Sequence, residues 1–128
     1  MDIPVRIAFR NMQASLSLET LIRRRATALG RIYERIGSCS VVVDLEHGHQ
    51  HQGRLYRVGV EITGPGIHIV ANRNPGEHQD HEDAHAAVHD AFDAARRQLQ
   101  EKLRLMGEAR GRPEGGTTGP EPLRDALP

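Results

Sequence analysis

The sequence predicts an α+β fold: a two-layer sandwich of order β-α-β-β-β-α, one four-stranded sheet with two helices on one of its faces. Three observations carry that expectation. Four short segments alternate apolar and polar residues at the period of a half-buried strand. Two longer segments repeat their apolar residues every three or four positions, and breaks rich in Gly, Pro or Ser separate the segments. The chain has 128 residues, one domain's worth, and its last stretch has no apolar period.

Ile3, Val5, Ile7 and Phe9 alternate with Pro4, Arg6 and Ala8, so the first strand ends near Arg10. NMQAS then offers Ser15 or Ser17 as a helix N-cap. Leu18, Leu21, Ile22, Leu29, Ile32, Tyr33 and Ile36 follow at helical spacing, and Gly37 is expected to stop that helix. CSVVVDLEH and RLYRVGVEIT read as two strands joined by the hairpin loop GHQHQG, with Tyr56, Val58, Val60 and Ile62 on one face. TGPG marks a turn, and GIHIVANR supplies the fourth strand, Ile67, Ile69 and Ala71 alternating with His68 and Val70. From about Asp80 the helical period returns through Ala84, Val88, Phe92, Ala95, Leu99, Leu103 and Met106. Such a helix runs roughly six or seven turns. It has acids at its start and Arg and Lys at its end, the order the helix dipole favours. GEARGRPEGGTTGPEPLRDALP is rich in Gly, Pro and charge. Residues 1–106 are therefore expected to fold as one domain, and residues 107–128 to form a disordered tail.

Composition narrows the function classes. Phe9, Tyr33, Tyr56 and Phe92 are the only aromatics. The core must then be aliphatic, and a platform for stacking single-stranded bases lacks its material. Cys39 is the sole cysteine, which excludes an internal disulfide and suits a reducing compartment. No stretch approaches the roughly 20 apolar residues of a membrane span, and MDIPVRIAFR lacks the basic and apolar regions of a signal peptide. A soluble, cytoplasmic protein is expected. Formal charge is zero, but it is sorted along the chain. Arg6, Arg10, Arg23, Arg24, Arg25, Arg31 and Arg35 oppose only Asp2, Glu19, Glu34 and Asp44 in residues 1–45. Residues 77–93 hold six acids and no Lys or Arg, and Arg96, Arg97, Lys102 and Arg104 follow. Such local patches set the field a partner feels.

HEDAH, residues 81–85, matches the H-E-x-x-H pattern that places two imidazoles around zinc with a glutamate as general base, and His89 extends the row. A zinc protease also needs a third ligand on a scaffold and a substrate cleft. HEDAHAAVHDAF lacks the longer metzincin continuation, and a domain of this size leaves little chain to build a cleft. Glu82 and Asp83 read instead as first-turn acids of the second helix. His47, His49 and His51 are weak metal candidates: alternate residues of an extended segment share a side, so three imidazoles could meet one Zn, Ni or Cu ion. A polar hairpin tip accounts for them more simply, and protonation near about pH 6.5 is a third use.

DAHAAVHDAFDAARRQL, residues 83–99, resembles the second-helix pattern of the ribosome hibernation promoting factor family. These are the ribosome-associated inhibitors also known as sigma-factor modulation proteins, whose pattern runs Asp, two variable positions, Ala-Ala, an aliphatic residue, Asp and Arg-Gln-Leu. ALGRIYERI, residues 28–36, is similar to the end of the family's first helix. The resemblance spans about residues 3–105. It implies a non-catalytic protein without cofactor, lying in the mRNA and tRNA channel of the small ribosomal subunit on 16S rRNA and silencing translation under stress or in stationary phase. Neither a membrane nor a small-molecule substrate is implied. Long members add a domain that pairs ribosomes, and this chain resembles the short form. His85 stands at the family's tyrosine position, expected at the helix-sheet seam, and Asp44 and Ala28 stand where lysine is usual.

The resemblance implies a ribosome- and rRNA-binding set of Arg23, Arg24, Arg25, Arg31, Arg35, Arg96, Arg97, Lys102 and Arg104. At about 100° per residue, Arg24, Arg31 and Arg35 share one stripe of the first helix. Arg25 interrupts the apolar stripe and must snorkel or pair. Arg97 and Arg104 share a face of the second helix, while Arg96 and Lys102 flank its apolar stripe. The alternatives are a metal-binding or sensing protein that uses its histidine clusters, and a double-stranded RNA binder of similar layout. For the latter the expected lysine-rich start of the second helix is missing.

Overall fold

A computed structural model describes residues 3–47, 54–73 and 83–111. The elements are β1 (Val5–Arg10), α1 (Leu16–Ile32), β2 (Ser38–His47), β3 (Arg54–Gly64), β4 (Ile67–Arg73) and α2 (Ala84–Gly111), the α+β order expected. One sheet holds the strands in the order β1-β2-β3-β4. β1 and β2 pair in parallel with α1 as the crossover, and the other neighbours pair antiparallel. Backbone contacts divide the chain into two compact units, Met1–Arg97 and Gln98–Pro128, and the division falls inside α2.

In the first unit the period-two pattern of the strands becomes rows of aliphatic side chains. Cys39, Ile62 and Ile69 stand in one row, Val41, Val60 and Ala71 in the next, and Val43 faces Val58 in a third. All of these are buried. The opposite face presents Ser40, Asp44, Arg57, Glu61 and Val70. Leu18, Leu21, Ile22, Ala26 and Leu29 of α1 supply the first helical side of the core, and Ala87, Val88, Ala91, Phe92, Ala94 and Ala95 of α2 the second. Four alanines on α2 let its backbone lie close to its neighbours, and Phe92 fills the space they leave.

α1 opens on Ser15, whose Oγ accepts from the Leu18 N–H at 3.3 Å, so Ser15 and not Ser17 is the cap. Its end differs from expectation. The helix stops at Ile32, and Tyr33 is already extended (φ −143°, ψ 109°). Gly37 lies beyond the helix, and its N–H donates to the Thr63 carbonyl at 2.7 Å. Tyr33 Oη donates to the Pro65 carbonyl at 3.0 Å, and Ile36 is buried from the connection itself. Tertiary hydrogen bonds to the β3-β4 end thus outcompete a further helical turn. Pro65 and Gly66, the latter at φ 75°, make that turn, the residue order of a type II turn.

α2 begins at Ala84, later than about Asp80. Asp83 Oδ1 accepts from the His85 N–H at 2.9 Å and the Asp83 carbonyl from the Ala87 N–H at 3.0 Å, which makes Asp83 the cap. No acid stands in the first turn of this helix, so the expected first-turn role of Asp83 is corrected to capping; Glu82 lies outside the described residues. Beyond Met106 the helix continues to Gly111, into the stretch expected as tail.

Candidate nucleic-acid interface

Arg25 joins the two helices. Its Nη2 donates to Asp93 Oδ1 at 2.6 Å, its Nη1 to His89 Nδ1 at 2.7 Å, and its guanidinium carbon lies 5.6 Å from the centre of the Phe92 ring. The expected choice between snorkelling and pairing is resolved as pairing. Because a guanidinium only donates, His89 must accept at Nδ1 and carry its proton on Nε2. Eight positions earlier on α1, Ser17 Oγ lies 3.3 Å from His85 Nε2. Contacts advance together along both helices, so α1 and α2 run side by side in the same direction.

His85 therefore faces α1 and is exposed, rather than sitting at the helix-sheet seam. The reason is its place two positions after the cap, where its N–H and its ring both lie near Asp83; His85 Nδ1 is 3.9 Å from Asp83 Oδ1. A groove opens between the helix starts, lined by Leu16, Ser17, Thr20, Leu21, Arg24, His85 and His89.

Arg23, Arg24, Arg31, Arg35, Arg96, Arg97, Lys102 and Arg104 are exposed, and Arg25 is half-buried. Arg24 and Arg31 lie seven residues apart on one stripe of α1. Arg35 does not join that stripe, because α1 ends at Ile32 and Arg35 belongs to the following connection. Arg96 is one turn past Asp93 on α2, and Arg97 is its neighbour toward the outer side. Lys102 and Arg104 belong to the second unit. There Arg104 grips Glu101 with two bonds, 2.6 and 3.1 Å, and this hydrogen bond holds the Glu101 carboxyl below its ordinary range. Among the described residues, no carboxylate forms an ion pair with Arg23, Arg24, Arg31, Arg35, Arg96, Arg97 or Lys102.

The reading of residues missed two features. One is the Arg25, His89 and Asp93 cluster, whose signal was the spacing of His89 and Asp93 by four on one helical face. The other is a shallow cavity on the helix-free face of the sheet, with Arg10, Asp44, Arg57, Glu61 and Asn72 around Gly59. Asn11, at the left-handed φ of 60°, donates to Asp44 Oδ1 at 2.8 Å there. His47, His49 and His51 lie outside the described side chains, as do His81 and Glu82 of HEDAH. Among the described residues, no three His, Cys, Asp or Glu are placed to share a metal ion, and no helix is long and apolar enough to cross a membrane.

The family model described as sigma 54 modulation protein / S30EA ribosomal protein matches residues 5–104. The N-terminal domain of Protein Y from Thermus thermophilus is similar in structure, with TM-score 0.61 and 18% identity over 79% of this chain and 98% of that one. A ribosomal subunit interface protein from Coxiella burnetii is similar at TM-score 0.62 and 16% identity, over 80% of this chain and 99% of the other. No curated protein matches the sequence significantly.

Proposed function

The chain belongs to the sigma 54 modulation protein / S30EA ribosomal protein family, and on that premise we propose a non-catalytic protein that occupies the mRNA and tRNA channel of the small ribosomal subunit and silences translation under stress. The observation that carries this reading is the set of exposed cations without a described carboxylate partner on α1, the connection after it and α2. Ordinary surface arginines on a neutral chain find acids within reach; a row left unpaired is suited to phosphate oxygens. In the first unit the contacts come from Arg23, Arg24, Arg31, Arg35, Arg96 and Arg97; in the second, Lys102 adds to them, and Arg104 does so on exchanging Glu101 for a phosphate. Arg25 is held by His89 and Asp93, so its part is to fix the spacing of the helices that present the rest. The name of the similar Coxiella burnetii protein, a ribosomal subunit interface protein, supports a ribosomal role. The site of action is the bacterial cytoplasm.

Sedimentation with ribosomes and separated subunits through sucrose gradients, at low and near-physiological salt, tests the proposal. Co-migration with the small subunit at both salts is expected. Arg24→Glu, Arg31→Glu and Arg97→Glu should each weaken binding and lower the salt slope by roughly one unit per lost phosphate contact. A chain that stays at the top of the gradient even at low salt would sink the reading.

A further inference from the structure

We propose that the groove between the N-terminal halves of α1 and α2 is a proton-dependent subsite for a phosphate of RNA, held by Arg24, His85 and His89. The inference rests on the ribosome-binding reading above and adds to it a site and a regulator.

The groove's lining contains Arg24, two imidazoles and two hydroxyls, and no carboxylate among the described residues. A ligand there meets donors and positive charge, which selects an anion. Leu16, 79% exposed, and Leu21 form an apolar wall beside these donors. A phosphodiester with its ribose presents the matching pair of surfaces, one charged and one largely apolar.

The two histidines differ in what their neighbours permit. His89 Nδ1 accepts from Arg25, so Nε2 carries the proton and is a donor already at neutral pH. A second proton on that ring would set two cations against each other at 2.7 Å, and Asp93 is occupied in neutralising Arg25. His89 thus serves as a donor through Nε2. His85 has oxygen on both sides, Asp83 Oδ1 at 3.9 Å from Nδ1 and Ser17 Oγ at 3.3 Å from Nε2. A charged His85 can donate to Ser17 through Nε2, and its Nδ1 lies at ion-pair distance from Asp83. Among the described residues, the groups that face His85 are Asp83 and His89 on its own helix and Ser17 and Arg24 from α1. Those that face His89 are His85 and Asp93 on α2 and Arg24 and Arg25 from α1. His85, with oxygen beside each ring nitrogen, is the member that can take up a second proton. With His85 neutral the groove carries one fixed cation, Arg24; a protonated His85 adds a second.

Binding of the full chain to purified small ribosomal subunits, titrated with salt at about pH 6 and about pH 8, decides the matter. For the wild type, the salt slope should steepen by about 0.9 at the lower pH, and affinity at roughly 0.1 M salt should rise about eightfold, the effect of one more neutralised phosphate. His85→Asn should remove the pH difference, so that the salt slope is the same at both pH values, and His85→Arg should hold the steeper slope at both. His89→Asn should weaken binding equally at both pH values. Helical circular dichroism of each variant confirms that the groove is intact. Binding whose slope ignores pH, or a pH difference that survives His85→Asn, would overturn the proposal and leave the ribosomal reading standing. No binding at either pH would overturn both. Displacement of the subunit by a nucleoside monophosphate at micromolar concentration would mean that the groove is built for a free nucleotide, and the assignment to RNA would fall.

Discussion

Arg25 lies in the middle of the apolar stripe of α1, between Ile22 and Leu29, where a cation would cost several kcal/mol if left unpaired. Its three partners all come from one stretch of α2, and the side chain is 20% exposed against 44% for Asp93. Solvent reaches the carboxylate, so the ion pair by itself contributes modestly, and the plane of the guanidinium, shared between Asp93, His89 and Phe92, contributes the rest. Arg25→Ala should lower stability by about 1–2 kcal/mol in urea unfolding. Arg25→Lys should recover less than half of that, because a single ammonium cannot span Nδ1 of His89 and Oδ1 of Asp93 while lying over a ring. A lysine variant as stable as the wild type would show that charge alone, and not the fork, matters. The need for a partner was legible in the sequence, since an arginine breaks the apolar period there. Which partner it finds was not, because His89 and Asp93 are 64 and 68 positions away and meet Arg25 only when two helices align side by side.

At the scale of elements, the strands were legible because period two and β-branched residues coincide in CSVVVDLEH, RLYRVGVEIT and GIHIVANR, and the structure places strands on all three. Helix boundaries were less so. Apolar spacing runs on to Ile36, yet α1 stops at Ile32, since hydrogen bonds from Tyr33 and Gly37 to the β3-β4 end are tertiary and leave no local mark. The same crossing explains Gly64. A Cβ there would come 2.8 Å from the Arg35 carbonyl oxygen and 3.3 Å from both Gly37 N and Ile36 Cα, all backbone. Gly107, interior to α2, has nothing within 4 Å of the corresponding position. Opposite signs are therefore expected from one substitution: Gly64→Ala should cost about 1–3 kcal/mol by forcing two backbone segments apart. Gly107→Ala should add up to about 1 kcal/mol to the local helix, read as increased ellipticity and slower amide exchange around it. A tolerated Gly64→Ala would mean that the connection after α1 does not cross so closely.

For the molecule as a whole, stability rests on an aliphatic core with a single fully buried aromatic, Phe92, and at its centre on β2, which is paired on both sides. Cys39 reports on that centre. It lies in register between Val5 and Ile62, its N–H donates to the Pro4 carbonyl at 3.0 Å, and it is 1% exposed. Burial pushes its thiol up from 9.0 to about 11. The folded pKa thus exceeds the unfolded one, and the neutral thiol is the form that the fold accepts. Its contribution is complete below pH 9.0 and is lost as pH rises toward about 11. The slope is about 1.4 kcal/mol per pH unit, for a total of about 2–3 kcal/mol. Alkaline pH acts on more than the thiol, so the wild-type curve alone cannot isolate it. Cys39→Ala can: it starts from a lower stability because it leaves a small cavity, but its denaturation midpoint should fall less between those pH values, and the two curves should converge. At neutral pH a thiol reagent reaches Cys39 only when the sheet opens, so the labelling rate should track the urea dependence of global unfolding of the first unit. Labelling that is fast and indifferent to urea would place the opening at the β1 edge alone, and parallel alkaline curves for the two proteins would show that the thiol does not limit the fold's tolerance of high pH.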